Sequence, residues 1–100
     1  MAQAVVINTG IANACTGQAG YENAAETAKL AGEALNISSD TVLVASTGVI
    51  GFTLPMDVIA DGLKKLSGML KSDVQSAQDA AQAILTTDTH PKQIANETTI

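Results

Sequence analysis

The sequence predicts an α/β fold with the order strand, helix, strand, helix, helix. Two short runs rich in β-branched residues, at 4–7 and 41–45, each lead into a loop of glycine, hydroxyl and amide residues. After each loop, apolar residues recur at helical spacing. This alternation is typical of α/β proteins, and with 100 residues and no internal repeat the chain amounts to one small domain at most.

The first unit consists of a strand, a long loop and a helix. Residues 4–7 predict a strand buried on both faces, and residues 8–20 predict a loop because Gly, Asn, Gln and Thr favour turns. A helix is predicted over 21–35, with Glu22 and Glu26 near its start, where the helix dipole favours acids. Its expected apolar face consists of Tyr21, Ala24, Ala25, Ala28, Ala31 and Leu35.

The second unit repeats this order. The strand at 41–45 runs directly into a glycine loop at 46–51, and Pro55 marks the start of the second helix. The apolar stripe of this helix consists of Met56, Ile59, Ala60, Leu63, Leu66 and Leu70, with Asp57 in the first turn and Lys64, Lys65 and Lys71 in the C-terminal part.

A third helix is predicted from Ser72, which has capping-box spacing to Gln75, to about Leu85. Its expected buried side consists of Val74, Ala77, Ala81 and Ile84. Residues 93–100 are a candidate for an extended terminal strand. Because this β-prone run has nothing to pair with, we expect the chain to be a fragment.

Composition excludes several classes of function. The chain has 10 acidic residues, 5 lysines, no Arg and 2% aromatic residues, so it lacks the charge and the stacking platform that nucleic acid requires. A single cysteine, Cys15, forms neither an internal disulfide nor a zinc site, which favours the reducing cytoplasm. No apolar run approaches the roughly 20 residues that span a bilayer. We therefore expect a cytoplasmic protein with a thin, Ala-rich core, no metal and no membrane partner.

Residues 8–17 are the first candidate for a functional site. Loops of small polar residues bind anions through backbone N–H groups, but this spacing matches neither G-x-G-x-x-G nor the P-loop. A purely structural network of turns explains the same residues about equally well. Cys15 would need a base to act as a nucleophile, and the one histidine, His90, is distant in sequence and expected in solvent. A buried or half-buried structural cysteine is the favoured alternative.

Two further segments carry groups suited to acyl chemistry. A strand that ends in Thr47 and Gly48 can present a hydroxyl and an unobstructed N–H to one point, as an oxyanion hole requires, and glycine also permits a positive φ. A simple turn is the alternative. Residues 86–89 place three hydroxyls and a carboxylate after a helix, which suits either a turn satisfied by its own side chains or a wall that binds a polar substrate.

Taken together, these segments resemble the glutamate N-acetyltransferases, also called ornithine acetyltransferases, of arginine biosynthesis. The matching residues are Asn-Thr-Gly at 8–10 with Ala-Asn-Ala-Cys-Thr-Gly at 12–17, Val-Ala-Ser-Thr-Gly-Val-Ile-Gly at 44–51 with Leu-Pro-Met at 54–56, and Ala-Ile-Leu-Thr-Thr-Asp-Thr at 83–89 with Pro-Lys at 91–92. They occur in family order over almost the whole chain. Ile11 and Phe52 depart from the family pattern, in which polar and charged residues respectively are common.

The resemblance implies a middle part of the α-chain of such an enzyme and a segment of an α/β/β/α layered fold. The family moves an acetyl group from N2-acetyl-L-ornithine to L-glutamate through an acetyl-threonine intermediate, and its bifunctional members also use acetyl-CoA. It cuts itself in two before the nucleophilic threonine. The β-chain of the same precursor is therefore an implied partner in a hetero-oligomer, and no cofactor is implied.

The resemblance also implies roles for three residues. By motif match, Thr47 and Gly48 stabilise the oxyanion and Thr86 contacts the substrate, with Thr87 and Thr89 as alternatives to Thr86. The family's nucleophilic threonine has no counterpart in residues 1–100, so the chain alone is expected to be inactive. The competing hypothesis is a non-catalytic small-molecule-binding or scaffold module that has lost the nucleophile.

Overall fold

A computed structural model describes all 100 residues and confirms the predicted α/β class and element order. The elements are β1 (Ala4–Ile11), α1 (Gly17–Leu35), a 3₁₀ turn (Ser39–Thr41), β2 (Val42–Val49), α2 (Met56–Ser67) and α3 (Val74–Ala83). No helix is long and apolar enough to cross a membrane.

The two strands form a parallel sheet, connected by α1 as a parallel crossover requires. Ala4 pairs with Val42 and the register continues without a break to Ile11 and Val49. Side chains alternate across the sheet, so the even-numbered residues of both strands share one face and the odd-numbered residues share the other.

The even-numbered face is covered by α1 and α2, whereas the odd-numbered face is open except where the end of α3 contacts Thr9. Val6 and Val44 lie close to residues of both helices on the covered face. On the open face, Val5, Ile7, Leu43 and Val49 each keep about half of their surface exposed, between 47% and 57%. Parallel sheets are normally covered on both faces. Here the helices on one face and the sheet beneath them correspond to one α layer and one β layer of the α/β/β/α arrangement.

The core is thin, as the composition predicts. Its buried apolar residues are Ala12, Ala31, Val42 and Leu54, and no large side chain is fully buried. Thr27 is buried among them because its hydroxyl donates to the Asn23 carbonyl at 2.8 Å, which satisfies the polar group inside the helix. A core of small residues buries little area, so it contributes little to stability.

The loop predicted over 8–20 was wrong at both ends. β1 continues through Ile11 and α1 begins at Gly17. Likewise, residues 46–49 belong to β2 and not to a glycine loop. Small and polar residues form strand here because the end of β1 and the end of β2 provide each other with backbone hydrogen-bond partners in register. This pairing does not depend on the hydrophobicity of the side chains.

The buried face of α1 also differs from the prediction. Ala31 is buried as predicted, but Tyr21 is 72% exposed and Ala25 is exposed, while Gly20 and Thr27, which were not predicted, are buried with Ala31. These three buried residues follow helical spacing, so the helix is rotated relative to the face that its apolar residues suggest. Since α1 starts earlier than predicted, its first turn contains no acidic residue.

The predicted start and charges of α2 are confirmed, but its end is not. Pro55 is the N-cap, Asp57 lies in the first turn, and Lys64 and Lys65 lie in the last. The helix ends at Ser67, with Gly68 as the C-cap, so Lys71 lies beyond it.

The predictions for α3 and for the C-terminal residues were less accurate. Asp73, not Ser72, is the N-cap: its carboxylate accepts the Ser76 N–H at 2.7 Å. The helix ends at Ala83, and Val74, Ala77 and Ile84 are exposed and not buried. Residues 91–100 form no strand because no other strand lies beside them to pair with.

Candidate functional site

Near its carboxyl end, each strand carries the same three-residue pattern, a polar residue followed by Thr and Gly, and the two patterns pair in register. Asn8 is opposite Ser46, Thr9 is opposite Thr47, and Gly10 is opposite Gly48. Carboxyl ends of parallel strands lie at one edge of a sheet, which is where α/β proteins usually bind ligands. The sheet therefore brings residues 8–10 and 46–48 together as a single site.

Gly48 occupies a position that only glycine fits. Its φ is +138°, which confirms the positive φ that the sequence predicts. A Cβ at this position would lie 2.6 Å from the Ile11 nitrogen and closer still to the Gly10 carbonyl group. The requirement for glycine therefore comes from the backbone of the neighbouring strand as well as from φ.

Thr47 is on the open face of the sheet and is exposed there. Its partner across the strands, Thr9, lies on the same face, and the Thr9 hydroxyl donates to the Ala83 carbonyl at 3.2 Å. This hydrogen bond holds the end of α3 at the carboxyl end of β1. The segment that follows α3, which contains Thr86, therefore begins beside the carboxyl end of β1.

Thr86 is exposed in a bend whose backbone is held by Asp88. The Thr86 N–H donates to one Asp88 carboxylate oxygen at 3.3 Å, and the other oxygen forms an ion pair with Lys92. The Lys92 hydrogen bond, with a smaller contribution from the Thr86 N–H, lowers the pKa of Asp88 below its ordinary value of 3.8. The carboxylate is therefore ionised at neutral pH and keeps the bend closed.

The remaining candidates after α3 are also exposed. The Thr89 hydroxyl lies 3.1 Å from the His90 ring nitrogen Nδ1, and Thr87 is exposed beside Thr86. His90 is in solvent, as predicted. The backbone of this segment thus forms a turn whose Thr86 N–H is hydrogen-bonded to the side chain of Asp88. The hydroxyl of Thr86 is exposed and accessible to a ligand.

The loop between β1 and α1 is a network of internal hydrogen bonds. Asn13 donates its amide to the Gly20 carbonyl at 2.8 Å and accepts the Thr16 hydroxyl at 2.6 Å. These bonds favour the structural interpretation of this segment over an anion cradle. The prediction of a buried or half-buried Cys15 was wrong: it is exposed in a bend, with a φ of +57°, because such connections run over the surface where water can solvate their backbone.

Sequence reasoning assigned no role to two residues of the site, Asn8 and Ser46. The Ser46 hydroxyl donates to Asn8 Oδ1 at 2.5 Å, and Asn8 Nδ2 donates to the Ile11 carbonyl at 2.9 Å. Both side chains lie on the covered face and line a cavity of about 220 Å³ against α1 and α2. The signal that could have found them is the repeated pattern of a polar residue, Thr and Gly after each predicted strand.

All 100 residues match the family model of the ArgJ family. The chain belongs to the ArgJ family. This confirms the acetyltransferase family that the motifs indicate. The chain is 54% identical over 93 residues to the arginine biosynthesis bifunctional protein ArgJ of Symbiobacterium thermophilum, and 46% identical over 98 residues to the chloroplastic ArgJ of Zea mays. These stretches cover 93% and 98% of the chain but only 23% and 21% of the two relatives.

Two solved structures share the ArgJ fold. The arginine biosynthesis bifunctional protein ArgJ of Bacillus halodurans is 43% identical with a TM-score of 0.79, over 86% of this chain and 44% of that chain. The ornithine acetyltransferase of Mycobacterium tuberculosis, solved in complex with ornithine, is 39% identical with a TM-score of 0.87, over 89% of this chain and 49% of that chain. The two-stranded sheet and its helices are therefore part of the ArgJ architecture.

Proposed function

We propose that this ArgJ chain is one segment of an acetyltransferase of arginine biosynthesis that moves the acetyl group of N2-acetyl-L-ornithine to L-glutamate. The match of all 100 residues to the family supports this, as do relatives named bifunctional enzymes of arginine biosynthesis and a neighbour solved with ornithine. The observation that carries the proposal is the paired Thr-Gly ends of β1 and β2, which leave Thr47 and Gly48 accessible at one edge of the sheet.

In this proposal, Thr47 and Gly48 form the oxyanion hole. In a parallel pair, alternate residues of a strand turn toward its neighbour. Because the Val49 carbonyl accepts the Ala12 N–H at 2.9 Å, Val49 is turned toward β1 and Gly48 is turned away from it. The Gly48 N–H is then free to donate to the developing oxyanion, together with the Thr47 hydroxyl.

Thr86 supplies the substrate contact. The hydrogen bond from Thr9 to Ala83 supports this, since it holds the end of α3 beside the strand pair. The closed bend at Asp88 keeps the Thr86 backbone fixed, so its hydroxyl is free for a polar group of the substrate. Thr87 and Thr89 are the alternatives for this contact.

The nucleophile comes from another part of the whole protein. The relatives are more than four times as long as the stretch they share with this chain, which leaves ample sequence for the family's nucleophilic threonine. Its hydroxyl oxygen attacks the acetyl carbonyl, the C–N bond to ornithine breaks, and the ornithine amine leaves with a proton. The glutamate amine then attacks the acetyl-threonine ester and restores the hydroxyl.

Several further points of the proposal follow the family resemblance. This segment forms part of the α-chain, its partner is the β-chain released by self-cleavage, and residues 1–100 alone are inactive. Acetyl-CoA serves as a second acetyl donor if the whole protein is bifunctional, and no cofactor is required. The cytoplasmic location stays a prediction.

The test is the transfer reaction of the full-length protein that contains this chain. The purified protein should form N-acetyl-L-glutamate and L-ornithine from N2-acetyl-L-ornithine and L-glutamate, and Thr47→Ala should lower kcat by at least about 100-fold, corresponding to about 2.7 to 4 kcal/mol. Thr98→Ala, an exposed threonine in the C-terminal segment, is the control and should leave kcat unchanged. Ligand binding without acetyl transfer would instead support the non-catalytic module. Equal transfer rates for Thr47→Ala and wild type would show that Thr47 does not stabilise the oxyanion.

A further inference from the structure

Asn8 links the two strands through its side chain. Its carbonyl oxygen accepts the Ser46 hydroxyl at 2.5 Å, and its amide nitrogen donates to the Ile11 carbonyl at 2.9 Å. One side chain thus joins Ser46, the residue before Thr47 in β2, to β1 on both sides of Gly10. Because Asn8 and Ser46 are directly opposite in register, this link is short and direct.

The link restrains a part of the sheet that is intrinsically free to move. Gly10 and Gly48 face each other with φ values of +104° and +138°, and glycine backbones have more accessible conformations than those of any other residue. Without a side-chain tie, the backbone on either side of Gly48 is held only by the strand ladder near its end. The Asn8 side chain supplies such a tie at Ser46, the residue before Thr47.

We propose that Asn8 is a positioning residue for the oxyanion hole and acts through Ser46. This inference rests on the proposed function of Thr47 and Gly48. Asn8 and Ser46 lie on the covered face and Thr47 lies on the open face, so Asn8 is separated from the reacting atoms by the sheet itself. Its effect on the reaction therefore passes through the backbone that it holds. A misplacement of about 1 Å in a catalytic group can cost about 100-fold in rate.

The chain contains a matched control for this hydrogen-bonding pattern. Asn13 also accepts one hydroxyl, from Thr16, and also donates its amide to one backbone carbonyl, that of Gly20. Asn13 is likewise half-buried, but its bonds hold the start of α1 and not the strand ends. Both asparagines line the same cavity, so Asn13→Ala and Asn8→Ala remove the same number and kind of hydrogen bonds from one cavity wall, but only Asn8→Ala removes a bond between the strands.

The experiment measures kcat and KM for acetyl transfer in the full-length protein. Asn8→Ala and Ser46→Ala should each lower kcat by about 10- to 100-fold, with KM for both substrates within about twofold of wild type because ground-state binding is unaffected. Asn13→Ala should keep kcat within about twofold at a temperature where all variants are folded by circular dichroism. Ser46→Thr keeps the hydroxyl, and the adjoining cavity has room for its methyl group, so this variant should retain most of kcat.

A double-mutant cycle separates positioning from general stabilisation. If Asn8 acts through the oxyanion hole, the kcat loss caused by Asn8→Ala should be at least threefold smaller in a Thr47→Ala background, because part of the group that it positions is already missing. Fully additive losses would overturn the inference, as would equal losses from Asn8→Ala and Asn13→Ala.

The outcomes also distinguish this inference from the function on which it rests. If Thr47→Ala slows transfer while Asn8→Ala and Ser46→Ala do not, the positioning role is wrong and the proposed function stands. If the full-length protein performs no acetyl transfer, both are wrong. If Asn8→Ala does not fold, Ser46→Ala and its matched partner Ser46→Thr decide the question.

Discussion

The strictest test of the site geometry is a single methyl group added at Gly48. Gly48→Ala places a Cβ 2.6 Å from the Ile11 nitrogen, and this neighbour is backbone, which cannot move aside as a side chain can. The new residue must also adopt a φ of +138°. Left-handed or otherwise strained backbone costs about 1 to 3 kcal/mol, and overpacking costs about 1 to 3 kcal/mol. Together they predict a loss of about 2 to 6 kcal/mol of unfolding free energy.

Two other glycines separate these contributions. Gly51 has a φ of +96°, but a methyl group added there would have no neighbour within 4 Å, so Gly51→Ala should show the backbone cost alone, about 1 to 3 kcal/mol. Gly62 lies inside α2 with open space around it, so Gly62→Ala should stabilise the helix by about 0.5 to 1 kcal/mol. Urea unfolding of the three full-length variants, followed by far-UV circular dichroism, measures all three. A Gly48→Ala protein as stable as Gly51→Ala would refute the steric contact with β1.

Three further predictions follow from the same contacts. First, because the pKa of Asp88 is lowered in the folded protein, the stabilisation of the bend by its carboxylate is present above pH 3.8 and is lost as the pH falls below that value. The NMR shift of the Thr86 amide, observed by nitrogen-15 labelling of threonine, should therefore titrate below pH 3.8. It should not titrate in the Asp88→Asn variant. Second, Thr9→Val removes the hydroxyl that donates to the Ala83 carbonyl, so amide hydrogen exchange of residues 83–86 should accelerate while exchange within α1 stays unchanged. Protection of residues 83–86 equal to wild type would show that this hydrogen bond does not hold α3. Third, the isolated 100-residue chain should be poorly folded or should associate through the open sheet face, which exposes Val5, Ile7, Leu43 and Val49. A chain that is monomeric in size-exclusion chromatography and unfolds in one sharp thermal transition would contradict this prediction.

The start of α2 and the charges at its two ends were predictable because they depend on neighbouring residues. Pro55 and Asp57 mark the start of α2 through the fixed φ of proline and the helix dipole, and neither effect needs a distant partner. The buried faces were predicted less well. Tyr21 and Val74 fit an apolar stripe by spacing, yet both are exposed, because the face that a helix buries is chosen by the surfaces that pack against it.

The site shows the same division. The need for glycine at position 48 was predictable from the Thr-Gly pattern, and the structure confirms its positive φ. The hydrogen bonds of Asn8 were not predictable, because its polar side chain next to Thr and Gly predicts a loop when only local composition is considered. Its partner Ser46 is 38 residues away in the chain, and only the strand register places the two side chains opposite each other.

The sequence by itself determined the α/β class, the order of its elements, the small-residue core and the family, because hydrophobic period, turn residues and motif order are all written along the chain. Only the tertiary structure decided where the strands end, which face of each helix is buried, and how Asn8, Ser46, Thr47 and Gly48 come together. The physical reason is that a backbone N–H or a side-chain amide can hydrogen-bond to any acceptor that lies close to it in the folded chain, and local sequence does not specify that acceptor. At the ends of β1 and β2, that partner lies on the other strand.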